Sequence, residues 1–326
     1  LHADDSGTDA QVARSTLISK GFNYFSFYVG PCSEHQIGAD GTCIYCGASY
    51  VASVTTGGGE STNYTSLDDA LDAVKDGDTI KLLSDAELTK LHNLKTIITL
   101  DLNDKTVAIQ KSATLILFKG AQVIIQDSSP DHTGEMVVSN DDYYTDILNI
   151  QTGDLTIKSG IFNGDITAQS GRACKLTIEG GTFKKRVDIA SNTTVSLSGG
   201  TFDTIWYEGD SFFDVLADGY AFYDYDGRIV NASKSTNRNL FKVKVQEHKQ
   251  HTFTDGACDC GYTCPHTSVG ADGKCTVCGK QFAASVTAGE DVTYYDTFDS
   301  ALVYARTEDG CTLKLLADVT GTTVMI

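Results

Sequence analysis

Short segments in which apolar and polar residues alternate fill the centre of the chain and predict β-strands. Three of them share one pattern, an alternating strand followed by a glycine corner and a phenylalanine, and they recur at intervals of 21 and 19 residues. They read LTIKSGIF from Leu155, LTIEGGTF from Leu176 and VSLSGGTF from Val195. A spacing of about 20 residues without a helix is typical of one coil of a parallel β-solenoid. The pattern therefore predicts a mainly β fold with an internal column of Ile, Leu and Phe; an antiparallel sandwich is the alternative.

A different period precedes these strands and predicts a short amphipathic helix at residues 66–74. Its apolar positions i, i+3, i+4 and i+7 are Leu67, Ala70, Leu71 and Val74. Because the open end of a solenoid exposes an unpaired strand edge, we expect this helix to cap the first coil. The pattern returns at residues 297–305, and each copy leads through a glycine into an apolar strand.

A cassette rich in cysteine and histidine precedes both helices. The segment CSEHQIGADGTCIYCG begins at Cys32, and CPHTSVGADGKCTVCG begins 232 residues later at Cys264. A repeat of this length indicates tandem domains. The predicted segments are an N-terminal segment 1–31, a first Cys/His knot 32–60, a helix-capped β-helix 61–245, a second Cys/His knot 246–285 and the start of a second, truncated β-helix cassette 286–326.

Each knot offers three cysteines and one histidine, which fit a tetrahedral zinc ion that organises a loop too small for a hydrophobic core. The predicted ligands are Cys32, His35, Cys43 and Cys46 in the first knot, and Cys264, His266, Cys275 and Cys278 in the second. Four protein ligands leave no position for a reacting water, so we expect structural rather than catalytic zinc. Disulfides are the alternative, although three cysteines leave one unpaired. An additional trio before the second knot offers alternate ligands or a strained cysteine pair: His251, Cys258 and Cys260.

The net charge of −18 and the isoelectric point near 4.6 restrict the partners. So acidic a chain repels a phosphate backbone, which excludes nucleic acid. The acidity is normal for a secreted bacterial protein and favours calcium as a further cofactor, although the acidic residues within 210–226 lack the order of an EF-hand loop. No apolar run approaches the roughly 18 residues needed to cross a bilayer, so we expect no membrane insertion of this segment.

The order of these motifs resembles that of a known group of proteins. The succession SLDDALDAVKDGDTIKLL, ITLDLNDKTV, LTIKSG and LTIEGGTF is similar to the right-handed β-helix modules of large surface proteins from Gram-positive anaerobes. The knots GADGTCIYCG and DGKCTVCG are similar to the small Cys-rich spacers of those proteins. The resemblance covers residues 32–326 and implies a right-handed parallel β-helix on the bacterial cell surface. It also implies an adhesin, because some relatives among gut commensals bind immunoglobulin variable regions and others bind glycans.

β-Helices also host pectin-cleaving enzymes, whose motifs test the catalytic alternative. A polygalacturonase would carry an Asp pair together with Gly-His-Gly and Arg-Ile-Lys on neighbouring coils. Asp141 and Asp142 form an Asp pair, but the chain contains neither of the other two motifs. A lyase would need a basic residue beside clustered acids, and the central coils contain few basic residues. We therefore expect no enzymatic activity; a polysaccharide lyase or glycoside hydrolase is the alternative.

Two stretches are predicted to contact a partner. Residues 139–146 interrupt the coil rhythm, and inserted loops with tyrosines are typical of binding surfaces. The second stretch, residues 204–230, is rich in aromatic residues. The predicted contact residues are Asp141, Asp142, Tyr143 and Tyr144 in the first stretch, and Trp206 and Tyr207 in the second. The alternatives are a solvated loop in the first case and an aromatic plug at the end of the solenoid in the second.

These features together predict an extracellular, non-enzymatic module that attaches to a host protein, such as immunoglobulin, or to a mucosal glycan. A purely structural spacer is the remaining alternative.

Overall fold

In the computed structural model the chain divides into two compact units. Unit 1 comprises Leu1–Arg228 and Ser235–Glu247, and unit 2 comprises Ile229–Lys234 and His248–Ile326. The structure describes the backbone of residues 2–3, 10–11 and 27–28, and it describes in full residues 32, 35–38, 40–139, 146–169, 173–232, 238–248, 251–254, 256–261, 264 and 266–318. The predicted contact residues Asp141, Asp142, Tyr143 and Tyr144 lie outside the described residues.

Unit 1 consists almost entirely of short strands. In chain order its elements are β1 (His2–Ala3), β2 (Ala10–Gln11), β3 (Phe27–Tyr28), β4 (Ala52–Thr55), β5 (Ser61–Tyr64), α1 (Leu67–Ala73), β6 (Asp78–Leu82), β7 (Ala86–Leu88), β8 (Leu91–Leu94), β9 (Ile97–Asp101), β10 (Thr106–Ile109), β11 (Thr114–Leu117), β12 (Gln122–Gln126), β13 (Glu135–Val138), β14 (Asp146–Ile150), β15 (Asp154–Ile157), β16 (Ile161–Asn163), β17 (Asp165–Ala168), β18 (Lys175–Ile178), β19 (Thr182–Ile189), β20 (Thr194–Leu197), β21 (Thr201–Tyr207), a 3-10 helix (Phe212–Val215), β22 (Tyr220–Asp224) and β24 (Asn239–Glu247).

The strands from β6 to β21 form a parallel β-solenoid of about six coils. On the first face β6, β9, β12, β15, β18 and β20 pair in parallel in that order. The second face runs from β7 through β10, β13 and β16 to the first halves of β19 and β21. The third face runs from β8 through β11, β14 and β17 to their second halves. The predicted mainly β solenoid, rather than an antiparallel sandwich, is therefore confirmed.

The repeated Gly-Phe corners place three phenylalanines in one column inside the coils. Phe162, Phe183 and Phe202 are buried, with ring centroids 5.1 Å apart in the first pair and 4.7 Å apart in the second. The rings lie nearly parallel, at 12° and 4°. A Cβ atom on Gly199 would collide with the carbonyl oxygen of Glu179 on the preceding coil. Glycine is therefore required at this corner because the backbones of neighbouring coils approach so closely.

Helix α1 caps the first coil, as its apolar stripe predicts. The Ser66 hydroxyl accepts a hydrogen bond from the backbone N–H of Asp69, 3.1 Å away, which begins the helix. Leu67, Ala70 and Leu71 are buried, and the helix packs against β4, β5 and β7. The two antiparallel strands β5 and β4 extend the first face beyond β6.

The opposite end of the solenoid is closed by antiparallel strands. β24 pairs antiparallel with β21, and β22 pairs antiparallel with β24. Tyr207, Phe212 and Phe222 are buried here, with edge-to-face contacts of 5.8 Å and 6.2 Å between successive ring centroids. Much of the aromatic stretch within 204–230 therefore packs the end of the solenoid, as in the plug alternative.

Unit 2 repeats the elements that open the solenoid in unit 1. Strands β28 (Asp291–Tyr295), β27 (Ala284–Ala288) and β29 (Thr312–Leu315) pair in that order, as β5, β4 and β6 do in unit 1. The hydroxyl of Thr297 caps the helix of unit 2 as Ser66 caps α1. No helix in the described part of either unit is long and apolar enough to span a membrane. The elements of unit 2 are β23 (Ile229–Val230), β25 (Phe253–Thr254), β26 (Ala257–Cys258), β27 (Ala284–Ala288), β28 (Asp291–Tyr295), α2 (Phe298–Ala305) and β29 (Thr312–Leu315).

Candidate metal centres and binding face

The predicted ligands of the first knot converge in the structure. The Sγ atoms of Cys32 and Cys43 lie 3.9 Å apart, and Cys46 Sγ lies 3.4 Å from His35 Nδ1. The four ligand atoms lie within 4.8 Å of one another. Gly47, with φ +74°, allows the turn in which its N–H donates to the Cys43 carbonyl at 2.8 Å. The CxxCG sequence therefore folds into a turn that brings both thiols into the same group of ligand atoms.

The second knot has the same geometry. Cys264 Sγ and Cys275 Sγ lie 3.7 Å apart, and Cys278 Sγ lies 3.4 Å from His266 Nδ1. The one-residue shift of the histidine between the knots does not move it away from the other ligands. His266 adopts φ +51°, and its ring packs edge-on against Phe282. Both predicted ligand sets form groups that could hold a metal ion.

The distances within the knots fit metal ligation and not disulfide bonds. A disulfide joins sulfurs about 2.05 Å apart, and the structure joins none of the described cysteines in this way. A tetrahedral zinc ion with Zn–S of about 2.3 Å and Zn–N of about 2.05 Å has edges of about 3.8 Å between sulfurs and about 3.6 Å between sulfur and nitrogen. The contacts of 3.9 and 3.4 Å in the first knot, and of 3.7 and 3.4 Å in the second, match these edges.

The thiols of each knot differ in acidity. Burial raises the pKa of Cys43, but hydrogen bonds from the backbone N–H groups of Cys46 and Tyr45 and from His35 outweigh it and lower that pKa to about 6. Burial and the neighbouring thiols raise the pKa of Cys32 to about 11. Without a cation one thiolate therefore forms readily beside a protonated thiol, and a bound metal ion would favour full deprotonation.

A third cluster lies in unit 2. His248 Nε2 is 3.4 Å from Cys258 Sγ, and His251 Nδ1 is 3.5 Å from Cys260 Sγ. These four ligand atoms also lie within 4.8 Å of one another. The sequence indicated the trio of His251 and the two cysteines but missed His248. The H-x2-H spacing just before C-x-C was the available signal.

All convergent groups of ligands in the described residues contain cysteine, and none is built from carboxylates alone. In the acidic stretch considered for calcium, the Oδ2 atoms of Asp224 and Asp226 lie 3.8 Å and 3.3 Å from Nη1 of Arg228, so both carboxylates pair with a guanidinium group.

The predicted contact residue Trp206 lies on the outer side of the third face. Trp206 is half-buried, whereas Tyr207 is only 6 % exposed and points into the end packing. In register with Trp206 lie Asp188 on the preceding coil and Asn239 on β24. We call this surface the aromatic–acidic face, and it comprises Asp165, Thr167, Arg186, Asp188, Thr204, Trp206 and Phe241.

The loop predicted to bind a partner leads directly onto this face. Strand β14 begins at Asp146, whose Oδ1 accepts a hydrogen bond of 2.7 Å from the hydroxyl of Thr167. Asp146 also lies in register with Asp165 on the next coil. The two stretches that the sequence analysis singled out separately are therefore connected through one sheet.

The carboxylates of this face are perturbed. The pKa of Asp188 is raised to about 6, mainly by burial; the charge of Arg186, 2.6 Å away, opposes the shift, and the charges of Asp165 and Asp146 add to it. Burial also raises the pKa of Asp165. Asp188 Oδ1 is buried and has no hydrogen-bond partner among the described residues.

Comparison of the chain with protein-family models, with characterised proteins and with solved structures gives no match. Its function is therefore argued from its own residues.

Proposed function

We propose that this chain is a non-enzymatic attachment module of a bacterial cell-surface protein, and that it binds a host macromolecule through the aromatic–acidic face. The observation that carries the proposal is the sheet register, which aligns Asp188 with Trp206 and connects them with strand β14, which begins directly after residues 140–145. A ladder of paired strands holds these side chains in fixed positions, and preformed surfaces bind with a smaller entropy cost.

The composition of the face fits recognition of a protein or a glycan. Phe241 is 64 % exposed and lies in register with Thr204, beside the half-buried Trp206. Arg186 and the neighbouring carboxylates supply hydrogen-bonding groups around these rings. Aromatic residues with arginine are enriched where protein partners bind most tightly. Host immunoglobulin is the partner that the resemblance to surface proteins favours, and mucosal glycan is the alternative.

The experiment measures binding of the full chain to separate immunoglobulin and mucin-glycan fractions by biolayer interferometry. We expect Phe241→Ala to weaken binding at least tenfold, and replacement of residues 140–145 by a Gly-Ser linker to do the same. Ile97→Ala is the matched control, because Ile97 is 43 % exposed but lies on the first face. Binding that survives both changes, or that is absent from both fractions, contradicts the proposal; the second result would favour a structural spacer.

The metal that fits the two predicted knots is zinc in a structural role. Three thiolates and one imidazole at tetrahedral spacing are typical of structural zinc, and four protein ligands leave no open position. Among the described residues of the second knot, Cys264, Cys275 and Phe282 form a small buried cluster, with partly buried side chains packed around it. Such a core is too small to fold the loop alone, so the ion would supply much of its stability. Elemental analysis tests this assignment, and a chain without zinc that contains oxidised cysteines in the knots would contradict it.

One observation favours polysaccharide cleavage as a second candidate. Asp188 and Asp165 both have raised pKa values and lie on an exposed face beside Arg186. Perturbed carboxylates are concentrated at catalytic sites, and a pair of carboxylates is the equipment of a glycoside hydrolase. Release of reducing ends or unsaturated uronides from a polysaccharide panel, abolished by Asp188→Asn, would establish this candidate and contradict the non-enzymatic proposal.

A further inference from the structure

We propose that His248, His251, Cys258 and Cys260 form a third zinc site that is separate from the two cysteine-rich knots. Its ligand set is two imidazoles and two thiolates, a combination found in structural zinc sites. The sulfur–nitrogen contacts of 3.4 Å and 3.5 Å are close to the edge of about 3.6 Å expected for a zinc tetrahedron. All four ligand atoms converge within 4.8 Å.

The hairpin that presents these ligands is very short. Strands β25 and β26 are two residues long each, and they are joined through Gly256 at φ +83°. Cys258 and Cys260 are nevertheless only 4 % and 1 % exposed. A hairpin this short is not stable in water by itself. A bound cation accounts for the burial of two thiols that face two histidines.

Backbone hydrogen bonds connect this cluster with the second knot. The N–H of Gly261 donates to the Cys258 carbonyl at 2.7 Å, which closes a turn around the cysteine pair. The N–H of Cys264 donates to the Gly256 carbonyl at 2.9 Å. Cys264 is a ligand of the second knot, so ordering of the hairpin by a metal ion also positions that ligand.

The third site has no equivalent in the first cassette. The sequence before Cys32 contains one histidine, His2, and no cysteine. The site is also chemically distinct, because two thiolates neutralise a zinc ion whereas three thiolates leave a net negative charge. A neutral complex can be buried at a smaller desolvation cost than a charged one.

The test is the zinc content of the full chain, purified with zinc and freed of loosely bound ions. We expect three zinc ions per chain, corresponding to the three ligand groups. The double variant Cys258→Ser/Cys260→Ser should bind two, and His251→Cys, which keeps a ligand at that position, should bind three. Cys174→Ser is the matched control, since the Cys174 thiol is buried, lies 3.5 Å from the Thr193 hydroxyl and belongs to none of the ligand groups among the described residues.

A measurement on the unmodified chain keeps the proposal falsifiable if the double variant does not fold. An alkylating reagent should modify Cys258 and Cys260 rapidly only after a chelator has removed zinc, and peptide mapping identifies the modified cysteines. Two zinc ions per chain in the unmodified protein would overturn the proposal. So would a disulfide between Cys258 and Cys260, or equal alkylation of this pair before and after chelation.

Discussion

Replacing Asp188 by asparagine should stabilise the solenoid at neutral and alkaline pH. The pKa of Asp188 rises from its ordinary value of 3.8 to about 6, first because of burial and then because Asp165 and Asp146 are close. Its side chain is 16 % exposed, so solvent screens these effects only in part. One pH unit corresponds to about 1.4 kcal/mol, so the ionised carboxylate destabilises the folded state by up to about 3 kcal/mol.

The pH window follows from the direction of the shift. Below pH 3.8 the carboxyl group is protonated in both the folded and unfolded states, and the penalty is absent. Between pH 3.8 and about 6 the unfolded state ionises first, so stability decreases as the pH rises. Above pH 6 both states are ionised and the penalty is constant. Asparagine removes the charge, so Asp188→Asn should gain up to about 3 kcal/mol at pH 8 and little at pH 3.5.

Urea unfolding followed by tryptophan fluorescence measures this difference directly, because the single tryptophan, Trp206, lies in register with Asp188. The free energy of unfolding is compared between the variant and the unmodified chain at pH 3.5 and pH 8. Asp131→Asn is the control, because this substitution removes the same charge at an exposed position. An equal gain at both pH values, or a loss at pH 8, would refute the assignment of a buried and electrostatically disfavoured carboxylate.

Three further changes test the packing by the free energy of unfolding in urea. Phe183→Ala should cost about 3–5 kcal/mol, because it leaves a cavity in the middle of the phenylalanine column; a loss below 1 kcal/mol would contradict the packing. Gly199→Ala should cost about 1–3 kcal/mol, whereas Gly57→Ala should be tolerated, because a Cβ at Gly57 meets no atom within 4 Å. Asp68→Ala should cost about 2–4 kcal/mol. Burial raises the pKa of Asp68, but hydrogen bonds from Thr89 and from the buried His92 outweigh burial and lower that pKa. The stabilisation by Asp68 should therefore be present above pH 3.8 and lost as the pH falls below it. A cost of Asp68→Ala that does not depend on pH would contradict this account.

The periodicity was readable from the sequence wherever the coils have similar lengths. The units that begin at Leu155, Leu176 and Val195 pair residue by residue in the structure. The earlier coils are less regular, because longer corners interrupt them. One corner is organised by Asp127, which accepts hydrogen bonds from the backbone N–H groups of Ser129 at 2.9 Å and of Gly134 at 2.6 Å. A corner held by contacts of this kind leaves no periodic signal.

The candidate sites were predictable to different degrees. The cysteines of the two knots keep the same spacing, so their ligand sets could be derived by alignment of the chain with itself. His248 directly follows the long strand β24, and its nearest partner, Cys258, is ten residues further along the chain. The alignment of Asp188 with Trp206 depends on a register shift between Phe183 and Arg186. Such a bulge changes which side chains lie opposite each other on neighbouring coils, and the sequence of the two strands does not reveal where the bulge occurs.

The two cassettes differ in how the first strand after the helix is covered. In unit 1 Leu82 pairs with Ala52 and is completely buried beneath the coils, whereas in unit 2 the equivalent Leu315 pairs with Ala284 and is 54 % exposed. Within the described residues of unit 2, β29 pairs with β27 alone. The hairpin, the helix and the first strand are nevertheless the same in both units. The two units therefore share the opening elements of the solenoid, and in each unit a Cys/His knot precedes them along the chain. In unit 1 this arrangement presents the edge of β6, onto which β9 pairs in parallel, and pairing onto an edge that is already formed offsets the slow formation of parallel pairings between distant residues.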